Sequence, residues 1–231
     1  MKRLADYRSE DFRGGMITEL SVYKGDTYKL ELEDGQTFFL NCAIVADYDL
    51  HEGGEMDGEL LEKLQHADKL RKAKKRALYL LGSRMYCYNE LYKKLLPTYG
   101  EEASRAAADA MREYGYIDDE DYAEKLAEKL IHGKHYGMQK TRWEMQLRGL
   151  DRNLIDDVLA QYTEDEIDEE IMRLLETKYS EKISDPDDRR RTIAALARRG
   201  YGYHSVKRCI EKLLREQEDF DPEEFEDQFG G

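Results

Sequence analysis

Three glycines constrain most strongly what this chain can fold into. Leu96-Pro97-Thr98-Tyr99-Gly100, Met145-Gln146-Leu147-Arg148-Gly149-Leu150 and Leu196-Ala197-Arg198-Arg199-Gly200-Tyr201 each place an apolar residue four positions before a glycine that can end a helix. The glycines lie 49 and 51 residues apart. Helix-periodic sequence of similar length precedes and follows each motif, so a period of about 50 residues holds three helices. A three-helix unit of that size buries too little surface to be secure alone, and stacking three in line lets each support the next. The expected architecture is mainly α, an elongated array of three tandem three-helix repeats. With helix diameters of roughly 10 Å, the array would be on the order of 60 Å long, a shape suited to an extended partner.

The repeats do not begin at the start of the chain. Tyr28, Leu30 and Leu32 alternate with Lys29, Glu31 and Glu33, the period of a half-buried strand, with turn signals at Lys24-Gly25-Asp26 and Asp34-Gly35. With Phe38-Phe39-Leu40 this predicts a small antiparallel meander over residues 16–40 that leans on a neighbouring helix. A short helix is expected at 41–48 and an acidic, Gly-rich loop at 51–58. A long helix then begins at Glu59, with a break allowed near Asp68, and ends around Gly82-Ser83. Further helices are expected at 88–96 (stopped by Pro97), 101–114, 119–131, 138–148, 151–161, 165–178, 189–199 and 203–217. The expected division is a β-rich extension over 1–58, the linking helix and first repeat over 59–118, the second repeat over 119–163, the third over 164–215, and an acidic tail over 216–231. Only Pro97, Pro186 and Pro222 interrupt the helical reading.

Charge is unevenly placed. The net value is −14, yet residues 71–118 carry 10 basic and 6 acidic side chains, while residues 216–231 carry none and 8. Exposed charges are screened beyond roughly 8–10 Å in physiological salt, so a basic face can coexist with an acidic total. No run of eighteen apolar residues suggests a membrane span, and the N-terminus lacks an apolar h-region. Cys42, Cys87 and Cys209 form no C-x-x-C pair, which fits a reducing compartment. A cytoplasmic chain is the expectation.

The basic residues suggest a stripe. Lys72, Lys75 and Arg76 lie in the densest basic run, and Arg84, Lys93 and Lys94 belong to the first repeat. Arg142 and Arg148 occupy the second, and Arg198, Arg199, Lys207 and Arg208 the third. Recurrence at comparable places would suit DNA phosphates or acidic patches of a protein filament. The plainer alternative is solvated helix surface with i,i+4 pairs such as Glu90–Lys94. The 17 tyrosines could stack on unpaired bases, but more often tyrosines at helix ends cover the core with the hydroxyl wet.

Other constellations carry little chemistry. His132-x-x-His135 could start a zinc site, but two further ligands are not at hand, so a solvated helix end is expected. Asp118-Asp119-Glu120-Asp121 reads as helix-start capping rather than a cation site. Cys87 reads as a small buried thiol, not a nucleophile. Gly14-Gly15 and Gly53-Gly54 lack the spacing of a phosphate loop. No catalytic residue, metal or cofactor is expected.

Four motifs in order resemble one family. Ala77-Leu78-Tyr79-Leu80-Leu81-Gly82-Ser83-Arg84, continued by Glu90-Leu91 and Lys94-Leu95, looks like the first-repeat signature of RecX regulatory proteins. Gly115-Tyr116-Ile117-Asp118-Asp119 with Tyr122-Ala123 resembles that family's junction of repeats one and two. Gly137 through Gly149-Leu150 is similar to its second-repeat helix and turn, and Arg198-Arg199-Gly200-Tyr201 to its third-repeat turn. The resemblance covers residues 72–215 and extends to the β-rich extension that some members carry. Tyr88, Trp143, Met145 and the acidic total depart from the pattern. The resemblance implies a non-enzymatic regulator that lies in the groove of the RecA recombinase filament on single-stranded DNA and suppresses ATP hydrolysis and strand exchange. Single- or double-stranded DNA is a further expected partner. The alternatives are a nucleic-acid-binding helical module acting without RecA, or an adaptor for another protein. The acidic tail, beside the Arg-rich third repeat, is expected to compete with DNA for that face.

Overall fold

The structure, a computed structural model, describes residues 4, 7 and 12–216. Most of the expected acidic tail, 217–231, lies outside the described residues. The chain divides into two compact units, Met1–Ile117 and Asp118–Gly231.

In the first unit, β1 (Gly15–Lys24), β2 (Thr27–Leu32) and β3 (Thr37–Asn41) form the expected meander. A fourth strand, β4 (Glu55–Met56), pairs with β1 and gives an antiparallel sheet of order β3-β2-β1-β4. This strand lies inside the stretch expected to be a loop. Its acidic, Gly-rich sequence hides it, because Ile17 and Gly54 bond across the edge through their backbones alone. Leu30 and Leu32 point to one face with Ile17, Phe38 and Leu40, the side closed by α1 (Cys42–Asp47) and by Leu61 and Leu64 of α2 (Gly58–Leu81). Alternation in β2 therefore reports burial, as the period implies.

Helix α2 serves two cores without interruption. Its first half covers the sheet, and Ala73, Ala77 and Leu80 pack against α3 (Tyr88–Glu113) with Leu91, Leu95, Ala103, Ala107 and Met111. The allowed break near Asp68 does not occur. Asp68 is buried at the crossover between the two cores, where Lys72 approaches within 2.5 Å and Arg71 within 3.5 Å from the next turn. Those i+3 and i+4 cations let the helix keep a carboxylate there. Helix α3 also runs past Pro97 and breaks at Gly100, whose φ of 73° and ψ of 177° no helix accommodates. Proline removes one hydrogen bond, whereas the glycine reverses the backbone, and the reversal ends the helix.

The second unit begins with α4 (Asp119–Glu128), α5 (Met138–Arg148) and α6 (Arg152–Leu159). It continues with α7 (Glu164–Leu174), α8 (Pro186–Arg198) and α9 (Tyr203–Glu216). Asp118, Asp151, Thr163 and Asp185 cap four of these through side-chain acceptors, so the acidic run at 118–121 does serve helix initiation. Helix α8 starts three residues before the expected Arg189, because Asp185 caps it and Pro186 occupies its first turn, where a missing N–H costs nothing. The segments after α4 and α7 widen into π-helical turns at Lys129–Gly133 and Leu175–Tyr179 rather than continuing as α-helix.

Gly149 and Gly200 take left-handed φ of 86° and 89°, and the residues four before them, Met145 and Leu196, are fully buried. At Gly100 the equivalent Leu96 is 36% exposed and its neighbour Leu95 takes the core position. The third repeat meets the second through backbone. Gly137 N–H donates to Arg199 O at 2.8 Å, and Gln139 N–H to Gly200 O at 3.2 Å. The open end of α8 thus satisfies free donors at the start of α5. A Cβ on Gly137 would lie 2.3 Å from the Gly200 carbonyl, and one on Gly200 would lie 2.4 Å from Lys140 N. Gly137→Ala and Gly200→Ala are each expected to destabilise this unit by roughly 3 kcal/mol, since backbone on both sides leaves nothing flexible to yield. A urea titration followed by helical circular dichroism checks this, and Gly133→Ala serves as a control, its nearest neighbour being a side-chain atom at 3.8 Å.

Candidate partner-binding surface

The twelve basic residues marked in the sequence divide into two groups. Seven are engaged within the fold. Lys72 neutralises Asp68. Arg84 grips Glu90 with both terminal nitrogens, at 3.0 and 2.9 Å, and stacks 3.6 Å over the Tyr86 ring. Glu90 therefore meets Arg84 rather than forming the expected i,i+4 pair with Lys94. Arg142 pairs with Asp156 across α5 and α6, and Arg148 donates to the Tyr122 hydroxyl at 2.9 Å. Arg199 donates to the Lys134 and His135 carbonyls, reinforcing the glycine junction. Lys207 faces Glu211 at 3.8 Å, and Arg208 joins α9 to α7 through Asp168 at 2.6 Å. Arg84 uses the guanidinium fork that a carboxylate matches.

The other five are exposed: Lys75, Arg76, Lys93, Lys94 and Arg198. Among the described residues none of them has a carboxylate within ion-pair distance. Lys72, Lys75, Arg76 and Tyr79 share one side of α2 at i+3, i+4 and i+7 steps, with Arg76 5.1 Å from the centroid of the 70% exposed Tyr79 ring. That side of α2 offers charge and a flat aromatic surface together. Lys93 and Lys94 stand on α3, in the same unit.

A buried polar cluster escaped the sequence reading. Glu170 on α7 is 2% exposed, and its two oxygens meet His132 Nδ1 at 3.0 Å and His135 Nδ1 at 2.7 Å. Arg173 lies 3.3 Å away. His132 and His135 are therefore a clamp between the second and third repeats, not a solvated helix end. His135 adopts a left-handed φ of 52° to reach the carboxylate. Burial raises the Glu170 carboxyl, but the hydrogen bonds from His132 and His135 and the Arg173 charge outweigh it and hold it below the usual range. Tyr201, buried beside this cluster, is pushed upward by its burial and by the Glu170 charge. No signal in the sequence places Glu170 against residues 35 and 38 positions earlier. Among the described residues no group of three or more His, Cys, Asp or Glu side chains could hold a metal ion. Cys87 is buried, and burial foremost pushes the Cys209 thiol up to about 12, which leaves it unreactive at neutral pH.

The fold defines a tandem three-helix-repeat protein, with exposed cations and an exposed tyrosine together on one side of α2. Residues 118–159 match the family model of RecX, second three-helix domain. The chain is 26% identical over 213 residues to a regulatory protein RecX of Bacillus velezensis, covering 88% of this chain and 79% of that one. It is 24% identical to a regulatory protein RecX of Clostridium botulinum, covering 86% and 96%. A crystal structure of a regulatory protein RecX superposes with a TM-score of 0.68 at 22% identity, covering 83% of this chain and 97% of that one. That of RecX from Lactobacillus salivarius gives 0.58 at 21%, covering 64% and 97%, so both show the shared fold. The chain is thus similar to regulatory proteins RecX over most of its length and shares their fold. No described helix is long and apolar enough to cross a membrane.

Glu170→Gln is expected to cost roughly 3 kcal/mol at neutral pH, because it leaves two imidazoles and Arg173 facing a neutral amide. A carboxyl held below its ordinary value of 4.5 contributes fully above that pH and loses its contribution as pH falls through the depressed folded value. The gap between wild type and variant should therefore close below pH 4.5. Urea midpoints measured from pH 7 down to pH 3 check this.

Proposed function

We propose that this protein binds RecA filaments on single-stranded DNA and lowers the recombinase's ATP hydrolysis and strand exchange, acting in the cytoplasm and without catalysis of its own. The observation that carries the reading is the coincidence of RecX likeness over nearly nine-tenths of the chain with cations left uncommitted on α2 and α3. A filament is a periodic, extended partner, and a tandem-repeat protein can contact successive subunits. It shifts the filament's state to the extent that it binds one state better than another.

The five uncommitted cations are the contact residues of this reading. The seven engaged ones act through the fold. Arg208 and Arg142 each join two helices, so their loss lowers stability before it lowers binding. The second reading, nucleic-acid binding without RecA, is favoured by Arg76 stacked on exposed Tyr79. The net charge of −14 opposes it.

Titrating the protein into RecA's single-stranded-DNA-dependent ATPase tests both. Inhibition well below one protein per RecA subunit is expected, with little retention of naked DNA. The quadruple reversal Lys75→Glu, Arg76→Glu, Lys93→Glu and Lys94→Glu should raise the half-inhibitory concentration by about tenfold or more with the urea midpoint unchanged. Arg208→Ala should lower the urea midpoint and leave inhibition by the folded protein intact. An unchanged ATPase rate at excess protein would rule the filament reading out, and tight, salt-sensitive binding to DNA alone would install the second.

A further inference from the structure

Helix α5 presents an apolar pair that its own unit leaves uncovered. Trp143 is 54% exposed and Leu147 58%, one helical turn apart on one side of the helix. Trp143 is the only tryptophan in the chain. An indole carries more apolar area than most side chains, so leaving it in water forgoes a large burial term. The surroundings are cationic. Lys140, one turn before Trp143, holds its Nζ 4.1 Å from the Tyr136 centroid, and exposed Lys134 approaches the same ring at 5.6 Å. The Gly137–Gly200 junction seats the end of α8 against the start of α5, and with it Arg198, exposed and without a carboxylate partner among the described residues. Along α5 itself the one acid is Glu144, which is half-buried.

The chain carries a segment of matching chemistry. The fifteen residues after Glu216 hold seven carboxylates, no cation, and Phe220, Phe225 and Phe229. Glu216 ends α9 in the same unit as α5. The thirteen residues from Glu216 to Phe229 span at most about 45 Å when extended, and a compact unit of this size is on the order of 35 Å across, so α5 lies within reach. Four other arginines of the third repeat attract this segment less. Arg173, Arg190, Arg191 and Arg208 are paired with Glu170, Asp187, Asp188 and Asp168.

We propose that segment 217–231 folds back onto the Trp143–Leu147 face of α5, its phenylalanines covering the apolar pair and its carboxylates meeting Lys134, Lys140 and Arg198. Tethering keeps it near millimolar effective concentration, so docking needs only modest intrinsic affinity. Resting on the filament-binding reading, the docked segment shields part of the face a filament would meet, and its removal should lower the half-inhibitory concentration in the ATPase assay.

The docking itself is tested without RecA, so a failure here is distinct from a failure of that reading. The sole indole reports on the site. In the full chain, Trp143 emission should be blue-shifted and its acrylamide quenching about twofold weaker than in a chain ending at Glu216, the docked form being the major population. The full chain with Phe220→Ala, Phe225→Ala and Phe229→Ala should behave like the truncated one, with unchanged circular dichroism. Synthetic peptide 217–231 added to the truncated chain at about millimolar concentration should restore the shift. Identical emission and quenching in full and truncated chains would overturn the proposal. So would protection that survives truncation but fades on dilution, which would give the face to a second copy of the chain.

Discussion

The second and third repeats depend on two glycines held in backbone contact. At Gly137 and Gly200 the carbonyls that α8 leaves open meet the N–H groups that α5 leaves open, at separations no side chain would allow. A helix end buried against another helix must find partners for its free polar groups, and here each end supplies the other. The rest of the junction follows from that approach. Arg199, one residue before Gly200, reaches the carbonyls of Lys134 and His135. His135 in turn bends into a left-handed conformation and, with His132, closes on Glu170. Rigidity between neighbouring repeats therefore comes from backbone and from one buried carboxylate as much as from apolar packing.

The same junction limits which charges remain for a partner. Repeat proteins that bind long partners must use side chains for two ends: holding the repeats and meeting the target. In this chain arginine does mostly the first, through a forked pair with Glu90, ion pairs with Asp156 and Asp168, and carbonyls. Lysine, on Lys75, Lys93 and Lys94, remains in water. The division follows from chemistry, because a planar guanidinium fixes geometry while a flexible, strongly hydrated ammonium suits a mobile outer contact. An acidic protein can in this way keep a local cationic surface for an acidic partner, within the short range that salt permits.

How much was legible varies with the range of the interaction involved. Tyr28, Leu30 and Leu32 make the meander legible because strand alternation is a local period tied to burial. The cap at Asp118 is equally readable, since a cap bonds two or three residues away. The edge strand at Glu55–Met56 was not, because its pairing with Gly15 and Met16 is backbone only and 40 residues distant. The local penalty of Pro97 signals a stop, but the packing of Leu91 and Leu95 carries α3 through it to Gly100. On the surface, recurrence in sequence marked twelve cations, and it could not separate Arg208, bound to Asp168 forty residues away, from Arg198, which is free to meet a partner.

By itself the sequence determined the class: a β-rich start, helices in units of about fifty residues, glycine-ended turns at 100, 149 and 200, and likeness to the RecX proteins. Each of these rests on periods, caps and φ preferences that act within a few residues. Only the tertiary structure decided that Asp68 and Glu170 are buried and satisfied, that Gly137 answers Gly200, and which cations stay available. Those outcomes join groups more than a helical turn apart, or choose among several carboxylates that one cation could meet. Which of them meet is settled by how the helices pack.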